Sequence, residues 1–445
     1  MTRRWAPPRS LLHCAAALTI VAAIATSADA QTLSRAEQRM REYVRQKTAE
    51  QLAFLEKVVN INSGTMNHAG VRAVGDEFAR EFKSLGFETR WIPMPDSVKR
   101  AGHLFAEHRP RGRKAGRTVM LLGHLDTVFE GEGQKFGIVN DSTAKGAGSS
   151  DMKGGDAVIL YALKAMAAAG TLRDAHVIVA LIGDEESSGE PVSISRGDLV
   201  EAAKRSQAIL AFEEDAGKAT VARRGFSAWL LTTTGVQAHS QGVFSSGSGF
   251  GAIYEAARIL DEFRQKMSGE RYLTFNPGII VGGTTVEYDT TLTSGTAAGK
   301  LNVIPRTVKV HGDLRFLTAP QLDSARSRMR EIVSRSLPGT SATIAFSAES
   351  PAMTPTSGNY SLLATLDSVT RAMGLGPTEA LDPGLRGAGD ISYVAGYADA
   401  LDGLGVVGRR SHTPDETVDL RSLPIATERA AILIHRITHS EKSKR

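Results

Sequence analysis

Side chains able to bind metal or to move protons are grouped in four short motifs in the first half of the chain. These motifs are His124–Asp126, Asp151–Gly155, Asp184–Glu186 and Glu213–Asp215. So many carboxylates in one cleft would repel each other strongly unless a cation neutralised them. A divalent metal supplies that charge, and a carboxylate shared by two ions holds them roughly 3.5–4 Å apart. The chemistry that this pattern favours is metal-assisted hydrolysis.

Each of these motifs is common when it is taken alone. The segment His311–Asp313 repeats the His-x-Asp spacing in the middle of an alternating strand with no acidic cluster nearby, and we interpret it as a solvated strand face. The order and placement of the four motifs are therefore more informative than their composition. From the residues alone, a metal hydrolase and a chance arrangement of acids both remain open.

Short apolar segments directly precede three of the motifs and are predicted to be strands. They are Val119–Leu122, Val177–Ile182 and Ile209–Phe212. An Ala-rich helix is predicted over Asp156–Ala169, and a long helix opens at the capping box Ser34–Glu37. Fully apolar strands between helices are typical of a sheet covered on both faces. Because sites form beyond the carboxyl ends of such strands, we expect the motifs to converge.

From about Val221 the pattern changes to alternating strands. In Val308–Phe316 the apolar residues face one way and the polar residues the other, and Phe250–Phe263 is predicted to be a helix. One-sided strands with helices on a single face indicate a small α+β domain. We therefore predict an α/β fold in which a helix-covered mixed sheet forms a catalytic domain, residues 31–220 and 338–445, with a small α+β domain inserted at 221–337.

The first thirty residues have the features of a secretory signal. Three arginines precede an apolar stretch, Leu11–Ile24, that is too short to span a bilayer, and Ala28–Ala30 offers a small-residue cleavage site. Residues 1–30 are predicted to be a signal peptide cleaved after Ala30, with ordinary secretion favoured over the twin-arginine route. The expected location is periplasmic or secreted, with no stable membrane association after cleavage. Cleavage also removes the only cysteine, Cys14.

The composition narrows the class of protein further. Of 445 residues, 42% are apolar and 23% are charged, which is typical of a soluble globular protein and not of a disordered chain. One cysteine excludes a disulfide scaffold and a Cys-based zinc site. The balance of 53 basic against 48 acidic residues leaves a small positive charge, and the arginines are scattered rather than clustered. We therefore expect no nucleic-acid partner.

The ordered set of motifs, together with His412 in the segment Ser411–Glu416, resembles the di-zinc metallopeptidase and deacylase family. That family holds glutamate carboxypeptidase, acetylornithine deacetylase, succinyl-diaminopimelate desuccinylase and aminoacylase. The resemblance covers nearly all of the mature chain and is closest to glutamate carboxypeptidase. It implies a zinc-exopeptidase-like catalytic domain, and it implies that the inserted domain is a lid and dimerisation domain of a homodimer.

The resemblance also implies a set of metal ligands. His124 would bind one zinc, Asp151 would bridge both ions, Glu186 and Glu213 would each bind one, and His412 would complete the set of ligands of the second ion. Glu213 is preferred over the two acids that follow it because it stands directly after the apolar strand. The expected cofactor is a pair of zinc ions, and other divalent metals such as cobalt or manganese are also compatible with these ligands.

Three further residues would act in catalysis according to the resemblance. Glu185 would be the general base, because its neighbour is a metal ligand and places it within reach of the attacking water. Asp126 would accept the second N–H of the His124 imidazole and so fix its tautomer. His239 matches the lid-domain histidine that reaches across the dimer to polarise the scissile carbonyl. It departs from the family pattern because Gln241 stands before Gly242.

Substrate-binding residues follow from the same resemblance. Asn302 and Arg315 match lid positions, and Arg315 would bind a substrate carboxylate bidentately. Gly387 and Gly389 lie in a glycine loop that is predicted to enter a helix and to contact a substrate carboxylate. These residues favour a small peptide or an N-acyl amino acid as the substrate.

The sequence therefore predicts a secreted, glutamate-carboxypeptidase-like enzyme that cuts a peptide or amide bond next to a free carboxylate. Within the same family, an N-acyl-amino-acid deacylase or a dipeptidase is the alternative. An inactive binding protein on the same fold would have lost the general base or the bridging ligand, yet Glu185 and Asp151 are both present.

Overall fold

The structure is a computed structural model that describes residues 32–110, 116–131 and 135–440. The predicted signal peptide, residues 1–30, lies outside the described residues. The helices are α1 Arg35–Val59, α2 His68–Ser84, α3 Lys153–Ala168, α4 Val192–Ser195, α5 Gly197–Lys204, α6 Gly251–Met267, α7 Ala319–Val333, α8 Ser357–Ala372 and α9 Ser422–His439. In the part of the chain that is described, none of them combines the length and the apolar character needed to cross a membrane.

The strands form one large sheet and several smaller ones. The strands of the catalytic part are β1 Glu88–Ile92, β2 His103–His108, β3 Val119–His124, β4 Gly137–Asn140, β5 Thr143–Lys145, β6 Val177–Ile182, β7 Ala208–Ala211, β14 Asp399–Leu401, β15 Gly408–Arg409 and β16 Thr417–Asp419. The strands of the inserted part are β8 Gly225–Gly235, β9 Thr274–Gly283, β10 Thr285–Asp289, β11 Ser294–Ala298, β12 Thr307–Phe316 and β13 Thr340–Ser350.

The large sheet has the strand order β1-β2-β6-β3-β7-β14. Strands β6, β3, β7 and β14 are parallel, whereas β1 and β2 pair antiparallel at one side. Leu121 of β3 packs in the core under α1, α3 and α9, and its neighbours Met120 and Leu122 pack in a second core on the opposite face with Leu199 of α5. Burial on both faces explains why the strand is an unbroken apolar run. The predicted helix-covered mixed sheet is confirmed.

The inserted part is an antiparallel sheet with the strand order β13-β8-β12-β9. Its strand β13 spans Thr340–Ser350 and pairs with β8, so the predicted boundary at 337 is wrong and the inserted part extends to about residue 350. Helices α6 and α7 cover one face, where Trp229, Val310 and Phe316 are buried in a separate core. The alternation predicted for Val308–Phe316 is therefore confirmed. The opposite face, with Lys309, His311, Asp313 and Arg315, is not covered by these helices, and we call it the open face of the lid sheet. A hairpin of β10 and β11 follows β9.

A small sheet of strand order β15-β16-β5-β4 borders the catalytic part. Its strands β15 and β16 pair antiparallel, and the segment between them carries His412. His412 adopts a left-handed backbone conformation with φ of 62°. This conformation is uncommon for a residue with a side chain and is found preferentially at functional sites.

Candidate metal centre

The candidate centre lies at the carboxyl edge of the parallel strands. His124 is the last residue of β3, Glu185 and Glu186 follow β6, and Glu213 follows β7. Because these three strands are adjacent and parallel, their carboxyl ends meet at one edge of the sheet. Asp151 stands just before α3, within contact of His124. The structure thus brings the four motifs together.

Two groups of donor atoms share the carboxylate of Asp151. In the first group, Nε2 of His124 lies 3.3 Å from Oδ1 of Asp151 and 3.9 Å from Oε1 of Glu213. In the second group, Nε2 of His412 lies 3.0 Å from Oδ2 of Asp151 and 3.2 Å from Oε2 of Glu186. Within each group the candidate ligand atoms all lie within 4.8 Å of one another. Each oxygen of Asp151 therefore faces a different group, which is the geometry of a bridging ligand.

The charges of the centre also fit a pair of cations. Burial raises the pKa of Glu213 to about 7 and raises that of Glu185 well above its ordinary value. Burial also acts to raise the pKa of Asp151, but hydrogen bonds with His124 and His412 outweigh it and hold this pKa below its usual range. The buried carboxylates and the neighbouring imidazoles together offer oxygen and nitrogen ligands. Such ligands suit zinc and similar divalent metals.

Asp126 contacts the His124 imidazole and also holds the backbone of two neighbouring site residues. Its buried carboxylate accepts hydrogen bonds from the backbone N–H groups of Glu185 and Glu186, at 3.0 and 3.1 Å, and from the Thr65 hydroxyl at 2.6 Å. Nδ1 of His124 bonds the main-chain carbonyl of Asp126 at 3.0 Å, whereas the carboxylate is 3.5 Å away. The main-chain carbonyl of Asp126 is thus the nearer acceptor for the imidazole, and the carboxylate, which also holds the Glu185–Glu186 backbone, lies slightly farther from it.

Glu416 is a residue of the centre that the sequence patterns did not single out. Its buried carboxylate accepts hydrogen bonds from the backbone N–H groups of Gly148, Ser150 and Asp151 at 2.8–3.1 Å. It therefore fixes the loop that presents the shared carboxylate. The one signal in the sequence is that Glu416 lies in the same short segment as His412, between β15 and β16.

A buried arginine holds the loop that carries Glu185 and Glu186. The guanidinium of Arg196 donates to Oδ1 of Asp184 at 2.5 Å and to the Asp184 carbonyl at 3.1 Å. Its Nε donates to Oδ1 of Asp390 at 2.7 Å. Arg196 therefore links the loop after β6 to the end of the predicted glycine loop. Sequence patterns gave no signal for this link, since Asp390 is 194 residues away.

The acids that follow Glu213 have other surroundings. Asp215 forms an ion pair with Arg429 at 2.9 Å, and the carbonyl of Glu214 accepts a hydrogen bond from Arg386. Of the three acids, only Glu213 contributes an atom to the donor groups of the described residues.

His239 and Asn302 lie on two paired segments of the inserted domain, and neither belongs to the donor groups found among the described residues. Both residues are exposed, and the N–H of Ser240 donates to the Asn302 carbonyl at 2.9 Å. Nδ1 of His239 accepts a hydrogen bond from the Gln241 N–H at 3.3 Å. Within the described ranges, the side chain of His239 contacts its own loop and no residue of the metal centre.

Arg315 lies on the open face of the lid sheet, as its place in the alternating strand predicts. Its Nε donates to Oδ2 of Asp313 at 2.9 Å, and the guanidinium lies over the Phe226 ring, 4.8 Å from the ring centroid. These two contacts orient the guanidinium, and Nε is the nitrogen that donates to Asp313.

Another buried arginine, Arg223, donates hydrogen bonds to the backbone of the glycine loop. Nη1 of Arg223 donates to the carbonyls of Gly387 and Ala388, at 3.4 and 3.0 Å. A Cβ at Gly389 would stand 2.7 Å from Nη1 of Arg223, so only glycine fits this approach. The loop leads into a single short 3-10 turn, Asp390–Tyr393, and not into the longer helix that was predicted.

Comparison with known proteins assigns the family. The family model described as peptidase family M20/M25/M40 matches residues 120–436, which is more than half of the chain. Carboxypeptidase G2 of Pseudomonas sp. (strain RS-16) is 27% identical over 432 residues, covering 94% of this chain and 97% of the relative. Succinyl-diaminopimelate desuccinylase of Acidiphilium cryptum (strain JF-5) is 25% identical over 403 residues, covering 87% of this chain and 99% of the relative.

Solved structures show the same fold. Aminopeptidase PepT from Bacillus cereus ATCC 10987 superposes with a TM-score of 0.72 at 18% identity, covering 88% of this chain and 98% of that one. The YXEP protein of Bacillus subtilis, a dinuclear metal-binding peptidase, superposes with a TM-score of 0.61 at 14% identity, covering 88% and 99%. The resemblance noted from the motifs is thus confirmed: the chain belongs to peptidase family M20/M25/M40 and is a metal-dependent hydrolase.

Proposed function

We propose that this protein is a secreted metallo-exopeptidase of the carboxypeptidase type, similar to glutamate carboxypeptidase in the bond that it cuts. The bond is a peptide or amide bond next to a free carboxylate. The observation that carries the proposal is the shared carboxylate of Asp151, which faces the His124–Glu213 group with one oxygen and the His412–Glu186 group with the other. The name of the relative carboxypeptidase G2 supports the same bond type.

We infer that the cofactor is a pair of zinc ions, with cobalt or manganese as possible substitutes. His124 and Glu213 would hold one ion, His412 and Glu186 the other, and Asp151 both. Such ions lower the pKa of a water molecule and polarise a carbonyl group. The imidazole and carboxylate donors, and the small distances between them, support this assignment.

Glu185 is the proposed general base and the shuttle for the proton. It takes a proton from the attacking water and delivers it to the leaving amine. The raised pKa that burial gives its carboxyl group suits both steps, because the group then holds a proton more readily than an exposed glutamate does. Asp126 is the proposed orienting residue, since its carboxylate holds the backbone of Glu185 and its carbonyl holds the His124 imidazole.

His239 and Asn302 are proposed to act from the partner subunit of a homodimer. Their exposed position on the inserted domain, away from the donor groups of their own chain, supports this arrangement. In a symmetric dimer the same patch serves both subunits, so each active site receives one His239. There the imidazole would stabilise the negative charge that develops on the carbonyl oxygen.

Arg315 is the proposed site for the substrate carboxylate, with the loop of Gly387 and Gly389 as a second contact. The guanidinium lies on the open face of the lid sheet, can bind a carboxylate through two N–H groups, and is already oriented by Asp313 and Phe226. A small peptide or an N-acyl amino acid is the substrate that these residues suit. The predicted signal over residues 1–30 supports a periplasmic or secreted location, where such an enzyme would act on nutrients.

A deacylase that releases an acyl group from an amino acid is the second candidate. The name of the relative succinyl-diaminopimelate desuccinylase favours it, and a dipeptidase is a further variant of the same chemistry. Zinc-loaded protein assayed with a panel of C-terminal dipeptides and N-acyl amino acids separates these functions. Hydrolysis of the panel is expected to need a free carboxylate next to the bond, and equal rates on carboxyl-amidated substrates would contradict the proposal.

A further inference from the structure

A cleft of about 770 Å³ lies on the open face of the lid sheet, and no role has been assigned to it. The sheet contributes residues of all four strands, among them Phe226, Asn276, His311 and Asp313. The tip of the β10–β11 hairpin contributes Thr290, Thr291 and Thr293, and the catalytic part contributes Glu190. This volume is in the range of small-molecule sites in proteins.

The cleft borders two places that the proposed reaction uses. Glu190, one of its lining residues, lies on the loop after β6 that also carries Glu185 and Glu186. Asp313 and Phe226, two other lining residues, both contact the guanidinium of Arg315. A substrate residue whose carboxylate is bound by Arg315 would therefore project its side chain into this cleft.

The hairpin forms a fixed wall of the cleft. The hydroxyl group of Tyr288 bonds Nδ1 of His311 at 2.8 Å, and the two rings meet edge to face with centroids 5.8 Å apart. At the tip, Oδ1 of Asp289 accepts the N–H groups of Thr291 and Leu292 at 2.7 and 3.0 Å. The hairpin is thus pinned to the open face, and its tip limits the length of what the cleft holds.

The charge of the cleft favours one class of side chain. Among the described residues that line the cleft there is no lysine or arginine. The charge of Asp313 is neutralised by Arg315, whereas the exposed carboxylate of Glu190 has one weak hydrogen bond, from the Val192 N–H at 3.3 Å. A cationic group would pair with Glu190, and an acidic side chain would be repelled by it.

We propose that this cleft binds the side chain of the carboxylate-bearing substrate residue, and that Glu190 and the β10–β11 hairpin select a side chain ending in an amine or a guanidine. The inference rests on the proposed function and narrows it from any carboxylate-bearing residue to a basic one. Hydroxyl and amide groups along the wall, such as those of Thr290 and Asn276, provide hydrogen-bond partners for the same cation.

The test compares the Nα-acetyl derivatives of lysine, norleucine and glutamate, which differ only in the side chain. The three corresponding alanyl dipeptides are compared in the same way. For zinc-loaded protein, kcat/KM is expected to be about 5-fold or more higher for lysine than for norleucine, and lowest for glutamate, which is the scale of one charged pair. Glu190→Gln should reduce the preference for lysine over norleucine to near unity. Glu201→Gln, an exposed acid paired with Lys204, is the matched control and should change none of the three values.

A second variant tests the wall. Replacement of Thr285–Ala298 by two glycines is expected to raise KM for N-acetyl-lysine several-fold while zinc content is retained. A deletion that changes only the association state, measured by size-exclusion chromatography, would overturn the role of the hairpin. Equal rates for the lysine and glutamate substrates, or an equal effect of Glu190→Gln on all three, would overturn the selection by charge. Failure of the metal-loaded enzyme to hydrolyse any of them would instead refute the proposed function.

Discussion

At the scale of single residues, the centre depends on side chains that form hydrogen bonds with the backbone of the candidate metal ligands. Asp151 can face both donor groups because Glu416 binds its N–H and two neighbouring ones. The carboxylate of Asp126 likewise accepts hydrogen bonds from the backbone N–H groups of Glu185 and Glu186. Carboxylates in these positions fix ligand orientation without contacting the metal, and their loss typically weakens metal binding.

Glu416→Gln is expected to lower metal affinity by about 10- to 100-fold while the chain still folds. The amide has one acceptor oxygen where the carboxylate has two, so the loop of Gly148–Asp151 loses part of its support. Zinc affinity, measured by competition with a chromogenic chelator, checks this outcome. Asp415→Asn is the control because Asp415 is exposed and pairs only with Arg410. Unchanged affinity in Glu416→Gln would contradict the positioning role.

Glu185→Gln is expected to keep both metal ions and to lose about 10²- to 10⁴-fold in kcat, the usual contribution of a general base. The amide has the same shape but cannot accept the proton. Elemental analysis and kcat on the same preparation separate the two effects. Substantial turnover in this variant would refute the assignment of the base.

At the scale of secondary-structure elements, the strand-end loops are locked to each other by buried ion pairs. Arg196 is almost fully buried, with 2% of its side chain exposed, and it joins the loop after β6 to Asp390. Arg223, also buried, pairs with Asp402 and supports the glycine loop. These links make the positions of the base and of the substrate loop interdependent.

Arg196→Met is expected to lower the free energy of unfolding by about 3–5 kcal/mol, because it leaves Asp184 and Asp390 buried without their partner. Urea denaturation of the metal-free protein gives this quantity directly. Arg205→Met is the matched control, since that guanidinium is 49% exposed and pairs with Glu107, and it should cost less than about 1 kcal/mol. Similar losses in the two variants would contradict the structural role of Arg196.

Helix α9 contains a histidine whose protonation opposes folding. Burial lowers the pKa of His435 to about 4, and the neighbouring His439, with ring centroids 4.3 Å apart, acts in the same direction. The unfolded chain, with an ordinary histidine pKa of about 6.5, binds the proton more readily, so stability falls as the pH drops from about 6.5 to 4. Between these pH values the wild-type protein loses free energy of unfolding, and we expect His435→Leu to reduce that loss by about 1 kcal/mol, after allowance for partial solvent exposure. Urea titrations at both pH values check this, with the exposed His68→Gln as the control.

The sequence predicts those parts of the centre whose positions are determined by neighbouring residues in the chain. His124, Glu186 and Glu213 could be placed because each stands at or just beyond the end of a strand that is buried on both faces and is therefore an apolar run. The contacts of Glu416 and Arg196 join segments far apart in the chain, and no local pattern encodes them. The sequence also identifies Asp126 as the neighbour of the His124 imidazole, but not that its main-chain carbonyl is the nearer acceptor, because that depends on the orientation of one carboxylate.

At the scale of the whole molecule, one chain holds the metal centre and the lid residues in separate regions. The donor groups lie at the edge of the large sheet, whereas His239 and Asn302 are exposed on the inserted domain. If these residues complete the centre of a second copy, neither chain alone has a full active site. The association of two copies is then a requirement of the reaction and not only a means of stabilisation.

A mixing experiment tests this requirement. Glu185→Ala and His239→Ala should each be inactive while retaining metal, because each lacks one group that acts on the substrate. In a hybrid dimer, one site carries both defects, but the other combines the intact Glu185 of one chain with the intact His239 of its partner. Random exchange of subunits should therefore restore roughly a quarter of the wild-type activity. Hybrid dimers that form, as judged by co-purification through two affinity tags, yet stay inactive would show that His239 does not act across the interface, because a histidine acting within its own chain cannot be complemented.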